Sequence, residues 1–189
     1  AVFTQLIRLD NLGNTLWKKE YNVEEDNLFG TSMDVMDDGG YIVIGNRINK
    51  TTNASSMYLF KVDQEGNNFT GVDITDEEKN NGSGATFGVD VLYTETGSII
   101  TLSEMNTISG KSTLISERSA SDLSYTCYVS NSLDDLSLIK SIYINPNDGG
   151  LYFGGQKDKG TQTISNITSF PFTSNICGTS PNTSFLDAF

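Results

Sequence analysis

The sequence predicts an all-β chain made of repeated units of about 54 residues, each of four short antiparallel strands. Three observations predict it. The segment Leu6-Ile7-Arg8-Leu9-Asp10-Asn11-Leu12-Gly13-Asn14 realigns with Leu59-Phe60-Lys61-Val62-Asp63-Gln64-Glu65-Gly66-Asn67 at an offset of 53 residues, with Leu6/Leu59, Asp10/Asp63, Gly13/Gly66 and Asn14/Asn67 identical and Arg8/Lys61 both basic. A second signature, Asp38-Gly39-Gly40-Tyr41-Ile42-Val43-Ile44-Gly45, returns 110 residues later as Asp148-Gly149-Gly150-Leu151-Tyr152-Phe153-Gly154-Gly155, which is two periods of 55. The apolar residues fall in short runs rich in β-branched and aromatic types, bounded by turn residues, and no convincing helix is present.

Taken in order, the elements begin with strands at residues 3 to 9 and 15 to 21, joined by the turn Asp10-Asn11-Leu12-Gly13-Asn14. The first full unit reads as strands over Thr31 to Met36, Tyr41 to Arg47, Met57 to Val62 and Asn68 to Ile74. Asp38-Gly39-Gly40 supplies the positive φ angles of the hairpin between its first two strands, a conformation that glycine adopts without steric penalty. The middle copy of the glycine signature is Thr96-Gly97-Ser98-Ile99-Ile100-Thr101-Leu102, preceded by Phe87-Gly88-Val89-Asp90-Val91 as Phe29-Gly30-Thr31-Ser32-Met33-Asp34-Val35 precedes the first. A weaker copy of the other signature is Leu114-Ile115-Ser116-Glu117-Arg118. The expected organisation is one propeller or propeller segment over 1–189: a half unit 1–22, units at about 29–75, 86–130 and 136–176, and a tail 177–189. Four antiparallel strands per repeat is the blade pattern of a β-propeller, in which alternate faces pack on neighbouring blades. About three and a half blades fall short of the usual four to eight. The chain is therefore expected to be a segment of a longer protein, the alternative being a ring completed by other chains.

The run Asp-Gly-Gly-Tyr-Ile-Val-x-Gly, a variable loop, Leu-x-Lys-Leu-Asp-x-x-Gly-Asn and then Trp-x-Lys-x-Tyr resembles the repeats of extracellular bacterial-type β-propeller proteins. Residues 6–21 and 38–67 carry the resemblance, it weakens from about residue 86, and the tryptophan motif occurs only at Trp17. It implies a secreted or surface-exposed propeller and says almost nothing about a ligand.

The composition narrows the function classes. The formal net charge of −12, from 12 Lys and Arg against 24 Asp and Glu, disfavours nucleic acid and anionic membranes as partners. No run approaches the roughly 20 apolar residues that cross a bilayer as a helix, so no direct membrane insertion is expected. The chain has no histidine, which removes Ser-His-Asp and Cys-His catalysis and histidine-containing zinc sites.

Six Asn-x-Ser/Thr sequons mark an expected N-glycoprotein: Asn49, Asn53, Asn68, Asn81, Asn166 and Asn182. Asn49, Asn53 and Asn81 lie in polar stretches between apolar runs and are the expected carriers of glycan, while Asn68 stands at a strand start. Cys127 and Cys177, the two cysteines, allow one disulfide. They sit nearly one repeat apart, so the bond requires the tail after Phe170 to fold back, a course that Pro171, Gly178 and Pro181 permit. The alternative is two thiols, with Cys127 buried as a small apolar residue.

The acidic clusters Asp37/Asp38, Asp76/Glu77/Glu78 and Asp134/Asp135 all fall in expected loops. Paired carboxylates serve glycosidases, but solvated turn residues explain these better. Loop carboxylates also suit a weak calcium site, although no spacing matches the twelve-residue calcium loop, and no other cofactor is implied. Trp17, Tyr21, Tyr41, Tyr58 and Phe60 read as packing residues between blades. The expected function is a non-catalytic extracellular module with a structural or interaction role, in a surface layer or fibre. Its partners would be other protein chains, copies of itself or glycans. A carbohydrate-binding or adhesive propeller is the alternative, and a paired-carboxylate glycosidase the remote one.

Overall fold

The computed structural model describes residues 2–73, 85–107, 110–132, 137–145, 147, 150–159 and 162–170. Among these, every regular element is a strand. They are β1 (Thr4–Leu9), β2 (Thr15–Tyr21), β3 (Asn27–Val35), β4 (Tyr41–Ile48), β5 (Ser55–Val62), β6 (Thr70–Asp73), β7 (Thr86–Tyr93), β8 (Ser98–Thr107), β9 (Gly110–Ser119), β10 (Tyr125–Ser132), β11 (Ser137–Ile144), β12 (Leu151–Lys159) and β13 (Gln162–Phe170). They form four antiparallel sheets, each a meander of sequence neighbours: β1-β2, β3-β4-β5-β6, β7-β8-β9-β10 and β11-β12-β13. These are called sheets 1 to 4 in chain order. Sheet 2 spans 27–73 where a unit at 29–75 was expected, and sheet 3 spans 86–132 where 86–130 was expected.

The strands alternate their apolar residues between two neighbours, and this stacks the sheets in series. Ile42, Ile44, Met57 and Leu59 of sheet 2 meet Val91, Ile99 and Leu114 of sheet 3 in one buried cluster. Val43, Tyr58, Phe60 and Val62, one residue out of phase, meet Leu6 and Tyr21 of sheet 1 in a second. Ile100, Leu102 and Ile115 of sheet 3 turn the other way, onto Ile142 and Leu151 of sheet 4. A strand buried on both faces reads as a continuous apolar run, which is why Tyr41-Ile42-Val43-Ile44 shows no polar alternation.

Polar links then fix neighbouring sheets to one another. The first strands lie side by side: the Thr31 hydroxyl donates to the Gly88 carbonyl at 3.0 Å, the Tyr93 N–H to Asp34 Oδ2 at 2.7 Å, and the Ile142 N–H to Asp90 Oδ2 at 2.9 Å. A one-residue bulge recurs in each of these strands, between Gly30/Ser32, Gly88/Asp90 and Ile139/Ser141. The bulge re-aims the strand. It also explains why β3 begins at Asn27, four residues ahead of the expected Thr31, because Asn27 to Gly30 pair with Ile48 to Gly45 on the near side of it.

The repeated signatures are turns. Asp10 Oδ1 accepts from the N–H of Leu12 and Asn14 at 2.9 and 2.8 Å, and Asp63 Oδ1 accepts from Glu65 and Asn67 at 3.0 and 2.7 Å. Gly13 and Gly66 close these turns at φ +85° and +72°. In Asp38-Gly39-Gly40 the positive φ falls on Gly39 alone, at +79°. Gly40 is required for a different reason: a Cβ there would lie 2.6 Å from the Val62 carbonyl oxygen.

Candidate functional site

The turns joining β3 to β4, β5 to β6 and β9 to β10 converge with the end of β7 around a cleft of about 410 Å³ between sheets 2 and 3. Asp37, Asp38, Asp63, Asn68, Tyr93, Lys61 and Ser121 line it. Its carboxylates are occupied as structural acceptors. Asp38 Oδ1 takes the Gly40 N–H at 2.8 Å, Asp37 Oδ2 takes the Tyr93 hydroxyl at 3.3 Å, and Asp63 Oδ2 takes the Asn68 side-chain amide at 2.7 Å. Burial and the neighbouring Asp37 carboxylate push the Tyr93 phenol above its ordinary value of 10.0, so it stays a neutral donor.

Lys61 crosses the floor of the cleft. Its ammonium donates to the Ala120 carbonyl at 2.7 Å and to the Ser121 carbonyl, gripping the β9-β10 turn of the next sheet. Arg8, its repeat equivalent, grips the corresponding turn of sheet 2 through the Gln64 carbonyl at 2.9 Å. Trp17 Nε1 donates to the same carbonyl at 3.1 Å, and its ring meets Tyr41 edge-on at 5.8 Å. The Tyr21 hydroxyl completes the joint on the Gly66 carbonyl at 2.8 Å. Trp17, Tyr21 and Tyr41 thus lie together at the joint between sheets 1 and 2.

A second polar cluster occupies the opposite ends of β4 and β5. Arg47 Nε donates to Asp26 Oδ2 at 2.8 Å and Nη1 to Asp73 Oδ2 at 2.7 Å, while Ser56 donates to Asp73 Oδ1 at 2.9 Å. Asp26 is buried and also accepts the Lys50 N–H at 3.2 Å and the Asn49 amide at 3.4 Å. Burial raises its carboxyl, but the bonds from Arg47, Lys50 and Asn49 outweigh that and hold it below 3.8. Arg47 leaves little trace in the sequence. Its one visible signal is a lone guanidinium closing the apolar run of β4, since the partners stand 21 and 26 residues away with no local spacing to betray them.

The expected modification sites divide. Asn53 is exposed at the tip of the β4-β5 loop, with φ +56° and no side-chain hydrogen bond. Asn49 is half-buried and committed: its Oδ1 accepts the N–H of Thr51 and Thr52 at 3.0 and 2.9 Å while its amide faces Asp26. Asn68 is exposed, at φ +55°, with its amide on Asp63. Asn166 lies within β13, paired with Gly155. Cys127 lies on β10 and packs against the cluster between sheets 3 and 4. Asn81, Asn182, Cys177, Asp76, Glu77, Glu78, Asp134 and Asp135 lie outside the described residues.

No protein-family model and no curated protein matches the chain. Among the described residues no group of three or more Asp, Glu or Cys is disposed to hold a metal ion, and no helix is long and apolar enough to cross a membrane.

The carboxylates set an acid limit. Asp10, held low chiefly by the Asn14 side chain, Asp122, held low chiefly by the Ser124 side chain, and Asp26 all lie below their ordinary 3.8 when folded. Such groups stabilise the fold above the unfolded value, and that contribution is lost as pH falls through the lowered ones. With no histidine to titrate, the thermal midpoint is expected to stay flat from about pH 5 to 8 and to drop below about pH 4. Melting curves across that range check it, and a midpoint still flat at pH 3 overturns it.

Proposed function

We propose that the chain is a non-catalytic extracellular glycoprotein module, a β-propeller segment whose role is structural or interactive. The observation that carries this reading is the employment of the cleft carboxylates: Asp37, Asp38 and Asp63 each close a turn or brace a neighbouring sheet. A general acid and base need carboxylates available to a substrate. The side-by-side first strands and the serial stacking of sheets support the propeller arrangement. On this reading the purified chain turns over no aryl glycoside, and Asp38→Asn changes its melting temperature alone. Turnover that Asp38→Asn abolishes would replace the reading with a glycosidase. The carbohydrate-binding alternative draws on the cleft itself, whose Tyr93, Asn68 and Ser121 suit a sugar, and saccharide titration with Tyr93→Ala as the control tests it.

Secretion carries its own test. Expressed behind a secretory leader in a glycosylating host, the chain is expected to carry glycan at Asn53 and to leave Asn49 unmodified, because a sugar on Asn49 displaces its amide from Asp26. Glycopeptide mass analysis reads the occupancy, and the same non-reducing map reads whether Cys127 and Cys177 are joined. The expected bond closes a loop of about 50 residues and contributes about 2–4 kcal/mol. Bare Asn53 together with two alkylatable thiols would remove the case for secretion.

A further inference from the structure

Positions that the repeat makes equivalent are buried between sheets 2 and 3 and exposed at the sheet 1 end. Met33 stands opposite Val43 and Val91 opposite Thr101, each just past its bulge, so the two hold the same place in sheets 2 and 3. Val91 is 1% exposed and Met33 46%. Two places further on, Tyr93 packs against the cluster between sheets 2 and 3, whereas Val35 is 55% exposed.

The cause is the strand content of the preceding sheet. β7 rests on β3, β4 and β5, whereas β3 touches sheet 1 through β1. Sheet 1 consists of the equivalents of the third and fourth strands of a unit, since β1 aligns with β5 through Leu6/Leu59 and Asp10/Asp63. β5 pairs with β4 on one side and β6 on the other, while among the described residues β1 pairs with β2 alone. One edge of β1 thus offers unpaired N–H and C=O groups beside an exposed apolar face.

We infer that this edge, with Met33 and Val35, takes up a two-stranded antiparallel hairpin of the same repeat class. Its second strand pairs with β1 and its first lies on β3. The inference rests on the reading of the chain as a propeller segment with an interaction role. The interface between sheets 2 and 3 is its template: β4 sets Ile44 opposite Leu59 and Tyr41 opposite Val62, so the incoming strand sets aliphatic or aromatic residues opposite Leu6 and Leu9. A lipid surface or a flat apolar protein face leaves the polar groups of the β1 edge without partners, which a strand satisfies. A second copy does not offer the hairpin readily either, because β3-β4, β7-β8 and β11-β12 are each already paired with a third strand. The occupant is a hairpin from a further repeat of the same kind.

Two preparations of the full chain test this. In one, a synthetic peptide copying residues 27–48 is added in trans. In the other, a copy of residues 27–53 is joined ahead of residue 1, which reproduces the spacing between β4 and β5. Hydrogen exchange at the β1 amides is expected to slow at least tenfold in both. The double variant Met33→Lys, Val35→Lys is expected to weaken the peptide at least tenfold. Unchanged β1 exchange in the joined chain, with β4 and β8 amides protected to show that it is folded, overturns the inference. So does a free chain that sediments as a dimer with β1 already protected, which makes a second copy the occupant. Glycoside turnover would defeat the module reading without moving β1 exchange, so the two failures are distinguishable.

Discussion

Phe60→Ala is expected to lower the unfolding free energy by about 4 kcal/mol, the range for removing a fully buried aromatic ring. Phe60 has no solvent exposure, and its ring stands 5.6 Å from that of Tyr21, 6.4 Å from Tyr58 and 5.1 Å from Phe69. The loss combines the transfer of the ring, the cavity left behind and the broken aromatic contacts. For a domain stable by about 5–15 kcal/mol this is a large fraction. Ile7 holds the same repeat position in sheet 1 but is 51% exposed, so Ile7→Ala is expected to cost under about 1 kcal/mol. Urea unfolding of the pair reads the difference, and equal costs would show that the buried face between sheets 1 and 2 contributes less than its packing implies.

Gly45→Ala is expected to cost about 3 kcal/mol through overpacking against a backbone that has no room to yield. A Cβ at Gly45 would fall 2.0 Å from the Phe29 carbonyl oxygen and 3.0 Å from Gly30 Cα, beside the bulge of β3. Both obstacles are main chain, so relief requires β3 to move away from β4 and disturbs the link from Thr31 to Gly88. Gly13 is the control. It has φ +85° and open space around a built Cβ, so Gly13→Ala is expected to cost about 1–2 kcal/mol from the left-handed conformation alone. Thermal melting ranks the two, and a Gly45→Ala protein as stable as Gly13→Ala would mean that β3 shifts freely.

Particular residues show how much of this was readable in one dimension. Asp10/Asp63 and Gly13/Gly66 announced the sheets because each pair closes a turn within five residues, and a local device leaves a local signature. Arg8/Lys61 were visible as an aligned basic position, but their purpose was not, since the carbonyls they grip lie 56 to 60 residues away in the next sheet. The start of β3 was hidden because Asn27 and Gly30 are poor strand formers, held there by pairing with β4. Asn49 and Asn53 looked alike as sequons. The bonds that Asn49 makes to the Asp26 carboxylate and within its own loop tell them apart. In the cleft, the clustering of Asp37 and Asp38 was plain, while the Tyr93 hydroxyl that engages Asp37 arrives from another sheet.

The grips of Arg8 and Lys61 have a consequence for the medium in which the stack can hold together. Both cations end on main-chain carbonyls, at Gln64 and at Ala120 and Ser121, which carry no charge and do not titrate. Salt screens a pair of opposite ions more than a short bond from an ion to a dipole, and acid cannot protonate the acceptor. The Tyr93 and Ile142 N–H groups, by contrast, end on the Asp34 and Asp90 carboxylates, so acid acts on those seams as well as on the aspartate turns and the Arg47 cluster. The grips of Arg8 and Lys61 are a part of the coupling between sheets that acid leaves in place.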